Sequence, residues 1–225
     1  MSLKFAIWDM DGTIIDSREI ISGAMDRAFE LCGLAPPGYA KTRTIVGLGL
    51  EEACRILAPN GFDDLARLTE TYRQAFVSLR AEPGFKEPLY DGAEDLLAEL
   101  GTGDWLLGVA TGKSRRGVEA IFDMHPLKHH FQTVWCADDG PGKPHPFMVE
   151  EAMKAVGAQP DETLIIGDAI HDIAMGRAAS IHTIGVSWGF GERAELEASG
   201  AHDVVDTFDA LRASLWDFGK RRKTV

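Results

Sequence analysis

Cysteine is scarce in this 225-residue chain: Cys32, Cys54 and Cys136 are odd in number and far apart. They fit no zinc spacing and no secreted disulfide framework, and they read as buried thiols in a reducing cytosol. Positive charge is also short, with 23 Lys and Arg against 35 Asp and Glu and a formal charge of −12. That balance argues against a nucleic-acid or anionic-membrane surface, both of which need a Lys/Arg footprint. Four basic residues (Lys220, Arg221, Arg222 and Lys223) crowd the C-terminus, where a frayed, solvated end is the expected reading. Long hydrophobic runs are missing. Nothing approaches the ~18 residues of a membrane span, and Lys4 and Asp9 interrupt any signal-peptide pattern. Internal repeats and low-complexity tracts are absent too. The expectation is a soluble, cytoplasmic protein whose hydrophobic residues, 45% of the chain, build a core without disulfide or structural metal. Its length suits one large domain or a domain carrying an insertion.

Short apolar stretches recur along the chain. Leu3–Trp8 ends abruptly in Asp-Met-Asp-Gly-Thr, which predicts a buried strand followed by a polar loop. Further strands are expected at Trp105–Ala110, Thr133–Cys136, Thr163–Ile166, Thr183–Val186 and Val204–Val205. Apolar strands alternating with helix-length stretches indicate a parallel sheet covered on both faces, an α/β, Rossmann-like sandwich. Residues 16–88 break that alternation. Asp16 with Glu19 suggests a capping box opening a helix whose buried stripe is Ile20, Ile21, Ala24, Met25, Ala28 and Phe29. Pro36-Pro37-Gly38 closes that region. From Asp64 another helical pattern places Leu65, Leu68, Tyr72, Ala75, Phe76 and Leu79 on one face. No strand is required here, so an all-helical block interrupts the α/β chain directly after its first strand. Pro83-Gly84 and Pro88 mark the return, and Ala93–Leu100 resumes the earlier pattern.

Four short sequences lie at predicted strand ends, where ligand sites of open α/β sheets gather. The first is Asp9-Met-Asp11-Gly12-Thr13. Its two carboxylates, two residues apart, repel one another unless a cation or shared proton intervenes. The second, Thr111-Gly112-Lys113-Ser114, leads from a strand into a helix start and offers a hydroxyl and free backbone N–H groups to an anion. The third holds Lys143 between Gly142 and Pro144. The fourth, Gly167-Asp168-Ala-Ile-His-Asp172, sets two carboxylates about one helical turn apart. Together they supply a carboxylate nucleophile, a second carboxylate, hard oxygen ligands suited to Mg²⁺, a hydroxyl, an ammonium and backbone amides. Phosphoryl transfer needs this set, because an anionic nucleophile reaches a phosphate monoester only after charge is neutralised.

In this order the four motifs resemble the haloacid dehalogenase superfamily, and its helical-cap phosphatases most of all. The resemblance covers essentially the whole chain. Val46-Gly47-Leu48-Gly49 and Ala110–Arg116 look most like phosphoglycolate phosphatases. It implies an α/β core of residues 1–15 and 89–225 with a helical cap of residues 16–88. It also implies that Asp9 is the nucleophile of an aspartyl-phosphate route and Asp11 the acid and then the base. Mg²⁺ would be held by Asp9, the Asp11 backbone carbonyl and Asp168. Thr111 and Gly112 would hold the phosphoryl oxygens, Lys143 would offset their charge, and Asp172 would orient Lys143 or a metal-bound water. The implied substrate is a small phosphorylated metabolite such as phosphoglycolate. Alternatives at this point are a phosphomutase of the β-phosphoglucomutase type, a true dehalogenase and a non-catalytic phospholigand-binding module. Ala169 departs from the family, which often has Thr there. The chain does not indicate an oligomeric state.

Other apparent motifs carry less. Gly112-Lys113-Ser114 lacks the Gly that a nucleotide-type phosphate loop needs at position 107, which is Leu. Gly189-Phe190-Gly191 reads as a turn into a helix. His125, His129 and His130 are separated by Pro126 and read as a solvated loop. His145 and His171 sit inside motifs as spacers or substrate contacts. Lys41 and Arg43 suit either a substrate carboxylate or a plain surface role.

Overall fold

A computed structural model of the chain describes residues 3–220, so Arg221, Arg222 and Lys223 of the basic C-terminus lie outside the described residues. Six parallel strands form one sheet: β1 (Lys4–Trp8), β2 (Trp105–Ala110), β3 (Thr133–Trp135), β4 (Thr163–Gly167), β5 (His182–Val186) and β6 (Asp203–Val205). Their spatial order is β3-β2-β1-β4-β5-β6. The chain leaves β1 toward one side and later returns to its other side, which puts a topological switch point between β1 and β4. Trp8 pairs with Val109 on one flank and with Ile166 on the other.

Side-chain alternation along the strands assigns the two faces. Ala6, Trp8, Leu107, Val109, Leu164 and Ile166 pack on one side. They meet helices α5 (Ala93–Gly101), α6 (Arg115–Met124) and α10 (Phe208–Lys220) through Leu97, Ile121 and Leu215. Phe5, Ile7 and Ile165 point to the opposite side. There they meet α7 (Phe147–Val156) and α8 (Ile170–Ala178) through Met148, Val149, Ala152 and Met175. Helix α9 (Arg193–Ala198) follows the loop after β5.

Between β1 and α5 lie α1 (Arg18–Leu31), α2 (Tyr39–Thr42), α3 (Leu50–Leu57) and α4 (Leu65–Arg80). The buried stripe of α1 is Ile20, Ile21, Ala24, Met25, Ala28 and Phe29, as its periodicity predicts. Its start differs from expectation. Ser17 is the N-cap without a side-chain cap bond, and Asp16 pairs with the Arg18 guanidinium instead of forming a capping box with Glu19. Arginine two residues on competes for that carboxylate with a full charge. Asp64 does cap α4, accepting the Arg67 N–H. A separate apolar cluster joins Met25, Phe29, Ile45, Cys54 and Leu68, and one residue from beyond the block, Phe190, belongs to it. The segments entering and leaving the block run side by side: Asp16 N–H donates to Pro88 O at 2.9 Å and Tyr90 N–H to Ile14 O at 3.0 Å. Cys54 and Cys136 are buried, Cys32 is half-buried, and all three are free thiols. No described helix is long and apolar enough to cross a membrane.

Candidate active site

Asp9 follows β1 and Asp168 follows β4, so the switch point itself brings them together. Asp172 joins them from the first turn of α8, where its Oδ2 accepts the Ala169 N–H at 3.0 Å. One carboxylate oxygen of each lies within 4.8 Å of the others, and all three residues are buried. Lys143, on the loop before α7, places Nζ 2.8 Å from Asp9 Oδ1 and 2.6 Å from Asp172 Oδ1. Both are close ion-pair distances, and Asp9 Oδ2 has no hydrogen-bond partner among the described residues. Asp168 is better served: Oδ1 accepts the Thr13 hydroxyl at 2.9 Å and Oδ2 the Phe190 N–H at 2.7 Å. Gly12 makes this approach possible. Its φ is +83°, and a Cβ there would run into the Asp168 carboxylate and the Phe190 ring.

The electrostatics follow from burial. Desolvation, together with Asp172 and Asp11 and against Lys143, raises the Asp9 pKa from 3.8 to about 7. Desolvation first, then Asp9 and Asp172, holds Asp168 well above the usual carboxylate range against its two hydrogen-bond donors. Burial by itself disfavours the Lys143 ammonium, yet Asp172 and Asp9 overcome it and push its pKa up. Three packed carboxylates therefore face one ammonium. The unpartnered Asp9 Oδ2 and this oxygen-only donor set fit a hard divalent cation, which would replace protons as the source of compensating charge.

Asp11 belongs to a second group beside the first. Its Oδ1 and Oδ2 lie 2.7 and 2.9 Å from Lys113 Nζ. Lys113 Nζ is also 3.6 Å from Glu87 Oε1, and Glu87, fully buried, accepts the Arg80 Nε–H at 3.0 Å. Thr111, buried at the end of β2, accepts the Lys113 N–H at 3.2 Å on its hydroxyl. Gly112 lies under the helical block so closely that a Cβ would meet the Gly47 carbonyl oxygen at 2.5 Å. The loop Val46–Gly49 therefore roofs the Thr111–Gly112 turn. Arg43 points elsewhere, bridging Glu195 with its two amino nitrogens at 2.8 and 2.9 Å. His171 Nε2 is 3.2 Å from Thr44 O, and His125 Nε2 is 2.7 Å from Glu87 O.

The seven residues singled out in the sequence thus fall into adjoining groups. Asp9, Asp168, Asp172 and Lys143 make one cluster, Asp11 turns to Lys113, and Thr111 and Gly112 form the turn beneath the roof. Asp172 stands inside the acidic cluster as well as on Lys143. The sequence reading missed the placement of Glu87, Arg80, Lys113 and Phe190. Glu87 stands next to a proline that reads only as a boundary. Phe190 uses its backbone, and Gly189 and Gly191 were its one visible signal.

A family model described as haloacid dehalogenase-like hydrolase matches residues 6–186. The pyrophosphatase PpaX of Oceanobacillus iheyensis is 28% identical over 194 residues, 84% of this chain and 85% of its own. The phosphoglycolate phosphatase of Nitrosococcus oceani is 30% identical over 214 residues, covering 92% and 94% of the two chains. Among solved structures, one described as a predicted phosphatase from Clostridium acetobutylicum superimposes with a TM-score of 0.84 at 24% identity. That superposition covers 96% of this chain and 100% of the other.

Proposed function

Because the chain belongs to the haloacid dehalogenase-like hydrolases, we propose that it is a Mg²⁺-dependent phosphatase of a small phosphorylated metabolite, working through an aspartyl-phosphate at Asp9. The observation that carries this reading is the Asp9 carboxylate, 1% exposed, with Oδ1 2.8 Å from the Lys143 ammonium and no hydrogen-bond donor on Oδ2 among the described residues. A carboxylate so desolvated and so little solvated by donors is a reactive nucleophile once its charge is offset. We assign residues 16–88 to a cap domain and residues 1–15 and 89–225 to the core. Three free thiols suit a reducing cytoplasm.

In this mechanism Thr111 and the Gly112 amide hold the phosphoryl oxygens and Lys143 offsets their charge. Asp9 attacks phosphorus as the bond to the leaving alkoxide breaks, and Asp11 gives that alkoxide its proton. The Asp11 carboxylate then takes a proton from a water that attacks the aspartyl-phosphate, which releases inorganic phosphate and restores Asp9. Asp9, Asp168 and the Asp11 backbone carbonyl would hold Mg²⁺, with Asp172 completing the acidic wall. When bound, the ion supplies charge neutralisation at the phosphoryl group. The roof at Val46–Gly49 shields the reacting atoms from bulk water.

A panel of phosphorylated metabolites, with phosphoglycolate and inorganic pyrophosphate as the first members because relatives bear those names, tests the reading. Phosphate release is expected with Mg²⁺, and it should stop with chelator and in Asp9→Asn. Transfer of the phosphoryl group to a second sugar hydroxyl without phosphate release overturns hydrolysis in favour of mutase chemistry. Equal turnover by Asp9→Asn overturns the nucleophile.

A further inference from the structure

We propose that Lys113 is a positioning residue for Asp11, locked in place by Glu87 and Phe76 on the cap side of the seam. The proposal rests on the acid and base role given to Asp11 above. Its ground is the geometry of one largely buried quartet, in which Arg80 keeps 21% of its side chain exposed. Lys113, whose side chain is 7% exposed, sets Nζ 2.7 and 2.9 Å from the two Asp11 oxygens, so the carboxylate is gripped at both ends. A flexible four-carbon stem does not hold a fixed position by itself. Here the ammonium is fixed by a second carboxylate, Glu87 Oε1, at 3.6 Å, and by the Phe76 ring, whose centroid is 5.5 Å away. Glu87 is in turn held by Arg80, which also stacks on Phe76 at 5.0 Å.

The quartet pairs two carboxyl groups, Asp11 and Glu87, with two cationic side chains, Lys113 and Arg80. No excess of either sign remains for a ligand to complete, unlike the acidic excess around Lys143. Phe76 and Arg80 end α4, whereas Lys113 opens the turn before α6. The seat of α4 on the core therefore dictates where Nζ stands, and Nζ dictates where the Asp11 carboxylate points. A cap shifted off this seat loosens the proton donor while Asp9 keeps its place.

A leaving-group comparison tests this on the full chain with Mg²⁺. An alkyl phosphate needs a proton on its leaving oxygen, whereas p-nitrophenyl phosphate departs as a stable phenolate. Asp11→Asn should lower kcat/KM, which reports the steps up to departure of the leaving group, by about 10²–10⁴-fold for the alkyl ester and far less for the aryl ester. Lys113→Met should move that ratio in the same direction by about tenfold or more. Lys113→Arg should recover part of it, and in an Asp11→Asn background Lys113→Met should change the ratio no further. Glu87→Gln, which loosens Lys113 without touching Asp11, gives a second reading should Lys113→Met fail to fold. An equal fall in kcat/KM on both esters in Lys113→Met overturns the proposal and makes Lys113 a structural or phosphate-binding residue. An Asp11→Asn ratio equal to that of wild type instead overturns the role of Asp11, on which the proposal stands.

Discussion

Two lysines at the same end of the sheet are surrounded by opposite electrostatic designs. Lys143 sits among carboxylates that outnumber it, all drawn from β1, β4 and α8 of the core and all sealed from solvent. Lys113 sits in a balanced quartet drawn from both sides of the seam between core and helical block. Burying negative charge without partners is unfavourable, so it persists where a ligand completes it. Matched buried charge needs no ligand and serves to hold two bodies in one relative position. On the proposed reading, the difference separates the place where phosphorus and metal would be handled from the place where the cap would be aligned.

The largest effect expected is at the unmatched cluster. Asp9→Asn should reduce kcat by on the order of 10⁴-fold or more, since on the proposed route nothing else replaces the nucleophile. It should not lower the melting temperature of the metal-free protein, because one of the competing carboxylates is gone. A fall of several degrees would mean that Asp9 holds the fold together through Lys143. Next comes Lys143→Met, which leaves Asp9 and Asp172 buried without their ammonium. Urea unfolding without metal should show a loss of about 3–5 kcal/mol, and a loss under 1 kcal/mol would erase the contrast between the two lysines.

A third prediction concerns pH. The Asp9 pKa is raised from 3.8 in the unfolded chain to about 7 in the folded one. Between those values the folded state binds more protons than the unfolded state. Stability from this group is therefore full below 3.8 and lost as pH rises to about 7. Asp168 is shifted in the same direction. A divalent cation reverses the trend, because it binds the ionised carboxylates. Thermal unfolding with and without Mg²⁺ should thus show a gain that grows from pH 5 to pH 8. A gain independent of pH would place the ion away from Asp9 and Asp168.

The sheet was legible because its six strands are dense apolar runs, and each is found within a residue of its expected ends. Legibility at the site followed the same logic. Asp9, Asp168 and Thr111 sit at strand ends, where β-pairing alone brings distant segments together, and Asp172 follows by one helical turn. Lys113, Glu87 and Phe190 were not legible, for different reasons. Lys113 is one residue past a readable turn, and nothing local says that its stem folds back to Asp11, 102 positions earlier. Glu87 is buried by Arg80 and Lys113, a tertiary pairing that no periodicity encodes. Phe190 offers Asp168 a backbone N–H, which every residue but proline has. Asp16 failed as a cap because Arg18, two residues on, takes its carboxylate.

The smallest effect expected lies at the far side of the seam. Arg43 reaches from the helical block to Glu195 with two hydrogen bonds and to Phe190 O at 3.3 Å. Four contacts to one guanidinium, counting Glu192 at 3.3 Å, suggest a strong latch. Exposure says otherwise, because the Glu195 and Glu192 side chains are 40% and 70% exposed and water competes for them. Arg43→Ala should therefore reduce stability by about 1 kcal/mol or less. It should also leave Mg²⁺ affinity within a few-fold of wild type, although Arg43 touches the residue that supports Asp168. The Phe190 ring is anchored in the apolar cluster of the block and its N–H in the loop after β5, so neither depends on the carbonyl that Arg43 touches. Calorimetric Mg²⁺ titration of Arg43→Ala decides the matter: a tenfold loss of affinity would show that this bridge, and not the quartet at Lys113, sets the cap against the acidic cluster.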